Sequence, residues 1–102
     1  MLAPDHEHHI LVTPDRLVAD TRLEFRRTAL EYLDRATRRN ATRLILEMGG
    51  TTEIDASGLG VLVLLQKRAR ERMVATRLLH AHAAVKQMLQ LTKLDYLFEM
   101  EG

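Results

Sequence analysis

The sequence predicts an α/β domain with helices packed on a sheet, and three observations carry that prediction. Apolar strand-like runs alternate with helix-like stretches from end to end. No segment repeats and no low-complexity linker interrupts the alternation. With 102 residues, the chain is the size of one domain with a single core, residues 1–102, and residues 1–8 are expected to form a flexible tail.

The elements follow in order. Residues 9–13 read as a first strand, Pro14 and Asp15 as a turn, and Leu17 and Val18 as a short second strand. Thr21 and Glu24 have capping-box spacing, and Phe25, Ala29, Tyr32, Leu33 and Ala36 recur on one helical face until Asn40 marks the end. Further strands are expected over residues 43–48 and 75–80, with helices over 57–73 and 83–91. In the second helix Leu59, Val61, Leu62, Val63, Leu64 and Leu65 make the first two turns apolar on nearly every side, so that helix must be packed in the domain or against a partner. The Val85, Met88 and Leu89 stripe is the core face of the third.

The most informative stretch is Thr52-Glu53-Ile54-Asp55-Ala56-Ser57-Gly58-Leu59-Gly60, which joins a buried strand to that apolar helix through a small, polar turn. Asp55 or Ser57 can cap the helix by accepting hydrogen bonds from its first free N–H groups, and Gly58 and Gly60 leave the backbone uncrowded. The same N–H groups and the helix dipole also favour a phosphate. Ser57 therefore has three readings: a helix cap, a contact residue in a protein interface, and a phosphoacceptor.

Here the residues meet a family. The run Ile54-Asp55-Ala56-Ser57-Gly58-Leu59-Gly60-Val61-Leu62 after an apolar strand, with a basic helix end at Lys67-Arg68-Ala69-Arg70, resembles the STAS domain of anti-sigma factor antagonists. Beyond Arg77-Leu78-Leu79-His80, the segment from Val85 to Phe98 is similar to the C-terminal helical pattern of that family. The resemblance covers about two thirds of the chain and rests on the combination of both pieces. It implies a mixed sheet with helices mainly on one face, and a bacterial, cytoplasmic, non-enzymatic regulator of transcription. That regulator would dock Asp55, Ala56, Ser57, Gly58 and Leu59 on a kinase-type anti-sigma factor in partner switching.

Three departures accompany the match. Phosphorylated members carry their acceptor hydroxyl immediately after the aspartate, where this chain has Ala56; Ser57 is one residue late. The Gly-Glu-Leu-Asp-like turn of the family is represented only by Leu17-Val18-Ala19-Asp20, and Lys93 stands where the family often has glycine. A missing acceptor suits an alternative within the family, an adaptor subunit of a lipid-transport ABC assembly or of a stress-sensing complex, with transporter subunits as partners.

Composition narrows the remaining classes. Without cysteine, disulfides, thiolate catalysis and cysteine-ligated zinc are excluded. A formal net charge of +1 and few aromatics argue against a nucleic-acid binder. The basic clusters Arg35, Arg38, Arg39, Arg43 and Lys67, Arg68, Arg70, Arg72 read as solvated helix ends. His6, His8 and His9 lack the spacing of a helical metal site, and His80 and His82 fall at a strand end. Asp55 and Ser57 lack the Gly-x-Ser-x-Gly elbow of a hydrolase, and the Ser57-Gly58-Leu59-Gly60 turn lacks the lysine of a phosphate-binding loop. No catalytic residue, metal or cofactor is therefore expected. No apolar run reaches the roughly 20 residues that span a bilayer, and residues 1–6 lack a secretory pattern, so a cytoplasmic location without membrane insertion is the expectation.

Overall fold

The computed structural model describes residues 8–101. Its elements run β1 (His8–Val12), β2 (Arg16–Leu17), α1 (Arg22–Arg38), β3 (Arg43–Glu47), β4 (Glu53–Ile54), α2 (Ala56–Glu71), β5 (Ala75–Leu79), α3 (Ala83–Leu91), a 3-10 turn at Asp95–Leu97, and β6 (Glu99–Glu101). The tail expected over residues 1–8 lies outside the described residues except for His8, which already belongs to β1.

The main sheet has the order β1-β3-β5-β6, and β2 pairs with β4 in a separate two-stranded sheet. Strand order advances in one direction, and right-handed crossovers then set the connecting helices on one face. Burial agrees. Leu11, Leu44, Leu46, Thr76 and Leu78 face inward and are buried, whereas Arg43, Ile45, Glu47, Arg77 and Leu79 alternate with them and are only half-buried. Helices on one face of a sheet is the expected architecture; within it, each strand pairing among the described residues is parallel. β1 runs alongside β3, and β2 alongside β4.

The core is built from the stripes read in the sequence. Phe25, Ala29, Leu33 and Ala36 of α1, Leu59, Leu62, Leu65 and Ala69 of α2, and Val85 and Leu89 of α3 close over Leu44, Leu46 and Leu78. Full burial of one such leucine contributes about 1.5–3 kcal/mol.

The three helices end in the same way. After α1, Asn40 takes a φ of 59°, after α2 Met73 one of 60°, and after α3 Lys93 one of 60°. In each case the next residue returns its N–H to a carbonyl in the last turn: Ala41 to Ala36, Val74 to Ala69, Leu94 to Leu89. This left-handed termination favours glycine, because any other side chain crowds its own carbonyl there. It also accounts for Lys93, the departure at a position where glycine was the expectation. Lysine is tolerated at a cost.

Among the described residues, no helix is long and apolar enough to cross a membrane.

Candidate functional site

The junction between β4 and α2 has two faces. Its inward face is fully engaged. Asp55 has extended backbone angles, φ −127° and ψ −175°, and its Oδ1 accepts from Gly58 N–H at 3.0 Å, so Asp55 is the N-cap. Its Oδ2 accepts from Ala19 N–H at 3.1 Å, and its own N–H donates to the Leu17 carbonyl at 3.2 Å. One carboxylate thus ties α2 to the turn that enters α1. The Gly58 N–H first, then those of Ala19 and Ser57 and the Arg22 guanidinium, hold the Asp55 carboxyl below the usual aspartate range against the opposing effect of desolvation.

Ser57, expected as the alternative cap, lies inside the helix instead, because the chain has already turned at Asp55. A similar correction applies to α1. Thr21 begins that helix without capping it: its backbone is already helical, and its hydroxyl donates back to the Arg16 carbonyl at 2.7 Å.

Gly58 is required by contact. A Cβ there would stand 1.9 Å from the Leu17 carbonyl oxygen, a clash with backbone. A pair of buried threonines that the sequence did not announce fastens the segment after β1 to the segment before β4. The Thr13 and Thr51 hydroxyls are 2.5 Å apart, and Thr51 also donates to the Pro14 carbonyl at 2.6 Å. Thr51 is completely buried, so these bonds satisfy a hydroxyl that has no access to water.

The outward face is unengaged. Ala56 is exposed and Ser57 half-buried, and the Ser57 hydroxyl makes no hydrogen bond among the described residues. Gly60 is exposed, and a Cβ there would meet nothing within 4 Å. Glycine inside a helix costs about 0.5–1 kcal/mol relative to alanine, and no contact within the chain requires it at this position. Of the five residues expected to form a partner surface, the structure therefore presents Ala56 and Ser57 outward. Asp55 lies half-buried at the rim, while Gly58 and Leu59 are buried.

Alongside Ala56 and Ser57, an open groove of about 470 Å³ runs between α1 and α2, lined by Arg22, Leu23, Arg26, Ser57, Gly60 and Leu64 among others. The sequence reading passed over Arg22 and Arg26, since only the packing of α1 on α2 brings them beside the motif.

A family model, the STAS domain, matches residues 9–101. The chain belongs to the STAS domain family. Three solved structures show how far this STAS domain shares its fold. An anti-sigma factor antagonist candidate from Thermotoga maritima superposes with a TM-score of 0.79 at 22% identity, covering 98% of this chain and 81% of that one. The Bacillus cell fate determinant SpoIIAA in its phosphorylated form gives 0.70 at 14%, covering 99% and 88%. A sulfate transporter family protein from Wolinella succinogenes gives 0.76 at 17%, covering 95% and 75%. At these identities the likeness is one of fold. No curated protein matches this STAS domain significantly.

The remaining candidates have partners of their own. His80 directly follows β5, where its Nδ1 lies 2.8 Å from Glu47 Oε2, and Glu47 Oε1 accepts from Gly49 N–H at 2.8 Å. Partial burial pushes the Glu47 carboxyl up, but Gly49 and His80 outweigh it and the net direction is down. His82 Nε2 lies 2.7 Å from the Gly49 carbonyl oxygen, and His9 lies in β1 against the Tyr32 ring. Of the basic clusters, Arg72 pairs with Asp34 and Arg43 with Glu99 at 2.8 Å, which places both at joints between elements.

Proposed function

We propose that this STAS domain is a non-enzymatic, cofactor-free, cytoplasmic binding module that acts as an anti-sigma factor antagonist. It docks the segment Asp55, Ala56, Ser57, Gly58 and Leu59 on a kinase-type anti-sigma factor. The observation that carries the reading is the division of labour at the start of α2. The chain's own capping bonds use the inward side, while Ala56 is exposed and the half-buried Ser57 keeps its hydroxyl free of hydrogen bonds among the described residues. Asp55, Gly58 and Leu59 serve the surface by holding its shape.

With Ala56 in the acceptor position, binding does not depend on a phosphate at that residue, and control rests with the partner or with Ser57. A phosphate on Ser57 would add about two negative charges beside the Asp55 carboxylate and weaken the contact by repulsion and desolvation. Affinity capture from the source cytosol with wild-type protein and Ser57→Glu side by side tests the proposal. Recovery of a kinase-like anti-sigma factor by wild type and its loss with Ser57→Glu is the expected outcome; equal recovery by both removes the motif from the interface.

The missing hydroxyl at Ala56 also favours a second reading, an adaptor role in a lipid-transport ABC assembly or a stress-sensing complex. Recovery of transporter subunits in the same experiment would select it.

A further inference from the structure

Resting on the docking reading above, we infer that the groove between α1 and α2 receives an acidic amphipathic helix of the protein partner, and that Gly60 is its point of closest approach. Two independent features of the groove point there. The first is charge. Arg22 and Arg26 lie one turn apart on α1, no carboxylate lines the groove, and neither guanidinium makes an ion pair among the described residues. Arg22 feels the field of Asp55, whose carboxylate is already committed to the Gly58 and Ala19 N–H groups. Two cations at i and i+4 match carboxylates spaced at one turn on a facing helix.

The second feature is shape. Leu23 is 65% exposed, and with the half-buried Leu64 it gives the groove an apolar lining. The exposed Gly60 lines the same groove and presents no side chain that would hold a visitor's backbone away. Small residues at a helix crossing allow close approach, and a groove between two helices is the geometry that accepts a third. Gly58, two residues earlier, is accounted for by the Leu17 carbonyl; Gly60 is accounted for only by something that arrives from outside.

The test uses the full chain, isotope-labelled for NMR, titrated with a synthetic amphipathic peptide of about four helical turns. One flank of the peptide carries glutamates at i and i+4 and its stripe carries leucine; a second peptide has lysine in place of each glutamate. The glutamate peptide is expected to bind at least about tenfold more tightly than the lysine peptide, more weakly as salt rises, with shifts concentrated at residues 22–26 and 56–64. Gly60→Leu, whose Cβ would meet nothing within 4 Å, is expected to keep the fold by circular dichroism and lose that binding. Equal affinity for the two peptides, no binding of either, shifts centred elsewhere, or a Gly60→Leu variant that binds like wild type would each overturn the inference. An anti-sigma factor captured by wild type and by Arg22→Glu/Arg26→Glu, but lost with Ser57→Glu, would sink the groove and leave the docking reading standing. Selective glutamate-peptide binding without capture of an anti-sigma factor would do the reverse.

Discussion

Gly58 and Gly60 stand two residues apart in one helix and answer to different demands. Gly58 faces the Leu17 carbonyl, where a Cβ would clash with backbone; Gly60 faces open groove, where a Cβ would meet nothing within 4 Å. The same division runs through their neighbours. Asp55, Gly58, Leu59 and Thr51 are spent on the chain's own structure, whereas the side chains of Ala56, Ser57, Arg22 and Arg26 and the bare Gly60 line the open groove. A motif compact in sequence thus serves folding on one side and recognition on the other, and stability and binding should come apart when the sides are altered separately.

The sharpest way to break that division is Gly58→Ala. The added methyl meets backbone that cannot move aside, so a loss of about 3 kcal/mol or more in urea denaturation is expected, with Gly60→Ala measured beside it as the contrast. A smaller effect on the inward side comes from Thr51→Val, which removes the donor to the Pro14 carbonyl and leaves the Thr13 hydroxyl only its bond to the Glu47 carbonyl. That variant should lose about 1–3 kcal/mol by the same measurement.

Next comes pH. Because the folded Asp55 carboxyl titrates below its unfolded value, its contribution is complete above the unfolded aspartate value of about 4 and is lost as pH falls through the lower folded value. Thermal melts should therefore fall more steeply for wild type than for Asp55→Asn as the solution is acidified below about pH 4. Parallel curves would mean that the cap carries no charge-dependent stability.

Outward substitutions have the smallest effects. Gly60→Ala should stabilise by about 0.5–1 kcal/mol, and Ser57→Ala should stay within about 0.5 kcal/mol of wild type. Away from the motif, Met73→Gly and Lys93→Gly should each raise the melting temperature, since glycine relieves the left-handed φ of 60° at both helix ends.

What was legible in the sequence follows a physical line. Periodicity reports burial, so the stripe Phe25, Ala29, Leu33, Ala36 and the stripe Val85, Leu89 located α1 and α3 and their inward faces. Local chemistry narrowed the α2 start to Asp55 or Ser57 but could not choose, since both side chains cap helices and the choice depends on where the chain turns. Features made by distant residues were silent. Thr13 and Thr51 are 38 positions apart, and Arg22 meets Ser57 only after α1 packs on α2. The closing strand Glu99–Glu101 is short and largely charged, so it carries no strand pattern, although it pairs in register with Arg77–Leu79. Left-handed positions at Met73 and Lys93 were hidden because neither residue type announces such a turn.

The central claim is tested most directly by titration calorimetry of a kinase-type anti-sigma factor from the same source into wild type and Ser57→Glu, with the melting temperature of each recorded beside it. The account predicts binding by wild type, at least about tenfold weaker binding by Ser57→Glu, and melting temperatures that agree closely. Equal affinities, or an affinity loss that appears only together with a collapse in stability, would contradict it.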